Sequence, residues 1–103
     1  MSEVMIAGKN ISVNGEGYLT DVNQWDEQVA NEIAAELDIE LGPKHMEVLY
    51  YLRDEFAKGQ TLNIRRIGKS GIVDIKGFYA LFPGGPLKNA SKIAGIPKPA
   101  SCI

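Results

Sequence analysis

Residues 41–59 read LGPKHMEVLYYLRDEFAKG, and the reading of this stretch sets the fold class. Proline is tolerated in the first turn of a helix, where its missing N–H would have no intrahelical partner, so Pro43 marks a start. Glycine just past a last turn marks an end, and Gly59 stands there. Between them Met46, Leu49, Leu52 and Phe56 recur every three or four residues and predict one buried face. The preceding stretch, residues 20–39 (TDVNQWDEQVANEIAAELDI), repeats the pattern with Trp25, Val29, Ile33 and Leu37 at intervals of four. Thr20, Asp21 and Asn23 are its candidate caps. Asp26, Glu27, Glu32 and Glu36 read as its solvated face. Two amphipathic helices in succession predict a mainly α protein.

Upstream, VMIAGKNISVN (residues 4–14) alternates apolar and polar residues on either side of Gly8-Lys9. A tight two-residue loop there pairs Val4–Ala7 with Asn10–Val13 as a β-hairpin. Downstream, TLNIRRIGKSG (61–71) predicts a short helix closed by Gly71, and IVDIKGFYALF (72–82) another, ended by Pro83. Two short helices across a Ser70-Gly71 turn resemble a helix-turn-helix. GPLKNASKIAG (85–95) predicts one more helix before Gly95. Beyond it Pro97 and Pro99 remove backbone donors and favour an extended path. The expectation is a small orthogonal helical bundle, with an N-terminal hairpin, a helix-turn-helix-like portion and a flexible C-terminal arm. Residues 1–94 form the body and 95–103 the arm.

Bulk properties narrow the function. The chain has 103 residues, enough for one domain with one modest core, and 45% of them are hydrophobic. Lys plus Arg number 11 against 13 Asp plus Glu, a net charge of -2. Nucleic-acid binding is driven by neutralising phosphates, so direct binding to nucleic acid is not expected. Neither a membrane span nor a secretory signal is seen, and a single cysteine fits a reducing cytoplasm.

That cysteine, Cys102, is the penultimate residue, behind two prolines. A thiolate is a nucleophile; the neighbouring Ile103 carboxylate opposes ionisation and Lys98 favours it. From Gly95 to Cys102 an extended chain spans roughly 25 Å, enough to enter another protein's cleft. Stiffening by proline reduces the entropy lost on insertion. Arg65, Arg66 and Lys69, with Lys76 further on, could meet DNA phosphates, but VDIKGFYALF holds few side chains that read bases. Arg65, Arg66, Lys69 and Lys98 are expected to dock a partner instead. The only histidine, His45, lies in a helical first turn and is expected to bond locally. With no cysteine or second histidine to join it, no metal is expected, and FPGGP lacks the context of a phosphate loop. No cofactor is expected.

LFPGGP (81–86), KIAGIPKP (92–99) and a penultimate cysteine closely resemble the C-terminal signature of the DsrC/TusE family. That family includes the gamma subunit of dissimilatory sulfite reductase and the TusE sulfur-relay protein of tRNA thiolation. GYLTDVNQWDEQVA (17–30), LGPKHMEVLYYLRDEF (41–56) and NIRRIGKS (63–70) carry the resemblance through nearly the whole chain. It implies that Cys102 carries sulfur as a persulfide, a sulfurtransferase-type carrier without a pocket active site of its own. Sulfite-reductase-linked members place a second cysteine in the arm, where this chain has Ser91. The resemblance therefore implies a TusE-like relay from a TusBCD-like donor complex to an MnmA-like tRNA thiouridylase, for 2-thiolation of wobble uridine. Sulfite reductase is the alternative partner, and a regulatory DNA-binding homologue the alternative role.

Overall fold

The structure, a computed structural model, describes residues 2–98. It opens with an antiparallel hairpin of β1 (Ser2–Ile6) and β2 (Lys9–Val13), in register Val4↔Ile11 and Ile6↔Lys9. The turn is Ala7-Gly8, one residue earlier than expected, with φ of 53° and 78°. Two successive positive φ values match the twist of the flanking strands. Glycine takes the second turn position and Ala7 the first, where its Cβ is under strain. The far edge of β2 is closed by its own chain: the Ser12 amide donates to Gln24 Oε1 at 2.8 Å, and the Thr20 amide to the Ser12 carbonyl at 2.9 Å.

The first amphipathic stretch divides in two. Asp21 caps a single 3-10 turn, Val22–Gln24, and α1 runs Glu27–Glu36. The cap of α1 is Asp26, expected on the solvated face, whose carboxylate accepts from the Val29 amide at 2.9 Å and pairs with Lys9. Those two hydrogen bonds, the lysine's first, lower the Asp26 pKa. Trp25 therefore precedes α1 and Leu37 follows it. The stripe that α1 buries is Val29, Ala30, Ile33 and Ala34.

Helix α2 (Pro43–Ala57) starts at its proline as expected. His45 fixes that start. Its Nδ1 accepts from the Gly42 amide at 3.0 Å, so Nε2 carries the proton and donates to the Leu81 carbonyl at 3.0 Å. Val48, Leu49 and Leu52 are buried and Met46 is half-buried, but Phe56 is 39% exposed, contrary to expectation. Glu55 takes the covered position in that turn, where the Arg66 guanidinium donates to its carboxylate at 2.8 Å. An ion pair has displaced an aromatic ring.

Asn63 caps α3 (Ile64–Gly68) and Asp74 caps α4 (Ile75–Leu81). Helix α3 stops at Gly68, short of the expected Gly71. The helices meet closely: a Cβ on Gly68 would lie 2.6 Å from Ile75 Cγ1. Central to the body is α5 (Pro86–Ile93), which packs on α1, α2 and α4. Its Leu87, Ala90, Ser91 and Ile93 have no exposed surface.

Helices α1, α2 and α5 end by one device. The residue after each cap is left-handed: Asp38 at 58°, Gly59 at 75° and Gly95 at 72°. The next amide reaches back to a carbonyl of the last turn: Ile39 to Ala34 at 2.9 Å, Gln60 to Glu55 at 3.0 Å, Ile96 to Ser91 at 3.2 Å.

Ser91 lies within α5, in the helix expected over residues 85–95, and its Oγ meets no hydrogen-bond partner among the described residues. A buried hydroxyl without a partner loses its hydration without compensation. Ser91→Ala is expected to raise the unfolding free energy by about 1 kcal/mol, read as a higher denaturant midpoint at unchanged slope. A lower midpoint would show that the hydroxyl is satisfied.

Candidate functional site

The arm's root is set into the body. Gly95 and Ile96, expected in the arm, are buried, and exposed chain begins at Pro97. Gly95 lies against the Trp25 ring, where a Cβ would fall 2.8 Å from Cγ. Glycine is required there twice, by space and by its positive φ. The Trp25 indole N–H donates to the Ile93 carbonyl at 2.7 Å. Arg53, from the middle of α2, lies 4.3 Å over the same ring. Its guanidinium donates through Nη1 to the Ala94 carbonyl and through Nη2 to the Val22 carbonyl, each at 2.8 Å. Burial pulls its pKa below the usual arginine value. Tyr50 packs edge-on against Trp25 with ring centroids 5.5 Å apart, and its hydroxyl donates to Glu27 Oε2 at 2.6 Å. Thus α2 holds the end of α5 and the segment before α1 in one grip.

Further along, Lys98 donates to Glu16 Oε2 at 2.9 Å. Its hydrogen bond and charge hold the Glu16 carboxyl below the usual carboxylate range. Cys102 itself, with Pro99, lies outside the described residues.

The cations of α3 form a second feature. Arg65, Arg66 and Lys69 line one open groove of about 420 Å³ with Tyr51, Asn63 and Ser70. Arg66 is engaged by Glu55, which raises its pKa. Arg65 and Lys69 are exposed and form no ion pair among the described residues. Lys98 is not among the residues lining the groove. The structure therefore gathers three of the four expected docking cations and leaves the fourth at the arm's root. The face that α4 presents to solvent is Ile75, Lys76, Tyr79 and Ala80. Base edges are read chiefly by Arg, Lys, Asn and Gln side chains, and of these the face has only Lys76.

Sequence reading missed Arg53, Glu16 and the role of Trp25. Arg53 had a signal: it follows Leu49 and Leu52 on α2, so an arginine borders the buried face. An arginine at such a place needs carbonyl or carboxylate acceptors. Glu16 had none, since its partner is remote in the chain.

The Glu16–Lys98 bond should respond to acid in a defined direction. A carboxyl whose folded pKa is depressed holds its partner above the unfolded value, about 4.3, and releases it as pH falls through the lower folded value. In an NMR titration the Lys98 and Glu16 signals are expected to move together, with a midpoint below that of an ordinary exposed glutamate. A midpoint at the ordinary value would show that the bond does not hold in solution.

The family model described as "DsrC like protein" matches residues 5–103 and so includes Cys102. The chain is 39% identical to a protein named Sulfurtransferase TusE from Salmonella paratyphi A, over 97% of this chain and 99% of that one. It superposes on the oxidized gamma-subunit of the dissimilatory sulfite reductase (DsrC) from Archaeoglobus fulgidus with a TM-score of 0.81, at 35% identity, covering 98% and 99% of the two chains. The NMR structure of Allochromatium vinosum DsrC gives a TM-score of 0.81 at 32% identity, covering 99% and 98%. Likeness in sequence and in fold thus runs along nearly the whole chain, and the chain belongs to the family of DsrC-like proteins.

Proposed function

We propose that this protein is a sulfur carrier whose working group is the thiol of Cys102. The observation that carries the reading is a lone cysteine placed next to last, behind Pro97 and Pro99, inside a family match that runs to residue 103. The Cys102 thiolate attacks the outer sulfur of a donor persulfide. A new S–S bond forms on Cys102 as the donor's S–S bond breaks, and the donor thiolate leaves with the bonding pair. An acceptor thiolate then attacks the outer sulfur and releases Cys102 as thiolate. No net oxidation occurs, and one sulfur–sulfur bond replaces another, so consumption downstream sets the direction.

Ser91 supports the single-thiol version. A serine there provides no second thiol for an internal disulfide, and in the structure the position is enclosed. That favours a TusE-like relay, from a TusBCD-type donor complex to an MnmA-type thiouridylase and so toward 2-thiolation of tRNA. Docking falls to the α3 groove, where Arg65 and Lys69, without an ion-pair partner among the described residues, suit with Arg66 an acidic partner surface. Lys98 takes part from the arm's root. The likeness to a sulfite reductase gamma-subunit supports a second reading, in which the partner is that reductase.

Intact mass after incubation with a persulfide donor tests the carrier role. The wild-type protein is expected to gain sulfur and Cys102→Ser none, with stability unchanged to within about 0.5 kcal/mol. Sulfur retained by Cys102→Ser and passed to an acceptor would sink the proposal. For docking, Arg65→Glu with Lys69→Glu is expected to weaken binding to a TusBCD-type complex about tenfold and to flatten its salt dependence. Unaltered affinity and salt dependence would remove the groove from the interface.

A further inference from the structure

We propose that Arg53 is a positioning residue: with Trp25 it fixes the direction in which the chain leaves the body after Gly95, and so the side of the molecule on which Cys102 is offered. This rests on the carrier reading for its functional meaning, but its geometry stands alone. From one planar group Arg53 holds the end of α5 and the segment before α1 together, by two hydrogen bonds of 2.8 Å. A guanidinium has rigidly forked donors, so both carbonyls are held at a fixed separation. Its stacking on Trp25 fixes the plane of that fork, and the Trp25 bond to the Ile93 carbonyl fixes the ring in turn. Gly95 lies against this ring, so its left-handed turn is pressed from the outside as well as closed from the inside by the Ile96 amide.

Helix capping alone would need none of this. In α1 the equivalent turn, at Asp38, is closed by backbone bonds and has no arginine over it. The extra grip at Gly95 constrains the direction of the chain, a property that matters for a thiol near its end. Orientation of a reacting group before encounter reduces the freedom lost on reaching the acceptor.

The single cysteine allows a direct test on the full chain. A nitroxide attached to Cys102 broadens the amide signals of residues near it. In the wild-type protein the broadening is expected on one side of the body, around Glu16 and Lys92–Lys98. In Arg53→Met, which keeps the apolar stem, this one-sided pattern is expected to be lost while signals of the body away from Val22–Trp25 and the middle of α2 keep their positions. Arg53→Lys is expected to restore it only in part, since a point charge cannot hold both carbonyls. An identical pattern in Arg53→Met, or even broadening in the wild type, overturns the proposal. If Arg53→Met fails to fold, Trp25→Phe carries the same test through loss of the indole donor. Polysulfide loading of Cys102, read by intact mass without the label, is expected to be equal in wild type and Arg53→Met. Absence of loading in both refutes the carrier reading and leaves the broadening result to decide the role of Arg53.

Discussion

No side chain fits between residue 95 and the Trp25 ring, and the rest of the site is arranged around that close approach. Glycine is needed for space, and its positive φ turns the chain sharply off the end of α5. The turn brings the Ile96 amide back to Ser91 and puts the Ile96 side chain into the core. Trp25 must then be held still, which its bond to the Ile93 carbonyl and the overlying Arg53 accomplish. The consequence is a buried chain up to Ile96, followed by the exposed Pro97 and Lys98.

Much of this was legible where chemistry is local. Pro43 and Gly59 bound α2 because a missing donor and a permissive backbone act within one turn of chain. Alternation around Gly8 announced the hairpin, but the turn lay one residue earlier, because both Ala7-Gly8 and Gly8-Lys9 offer a glycine to a two-residue loop. Trp25, Val29, Ile33 and Leu37 share a spacing of four, yet only the middle two lie in the helix. Asp26 competes for the cap, and a side chain that accepts an amide two or three residues on ends the helix there. Phe56 looked like core because hydrophobic periodicity takes no account of Glu55, whose burial is tolerable only beside Arg66.

The site divided along the same line. Clustering of Arg65, Arg66 and Lys69 could be read directly, since residues three or four apart on one short helix share a face. The grip at the arm's root could not. Arg53 meets Ala94 across 41 residues and Lys98 meets Glu16 across 82, and nothing in the spacing of either pair announces a contact. What the sequence did contain was the requirement itself: a glycine followed by an apolar residue and a proline at the end of a helix.

Trp25 is the only tryptophan in the chain, and it sits where the exit of the chain is decided. The protein therefore has a built-in optical reporter. Emission from one indole depends on the cation above it, the carbonyl it donates to and the glycine packed on its edge. A partner that draws on the chain beyond Ile96 strains those three contacts together, and the ultraviolet fluorescence of the unlabelled protein registers the pull.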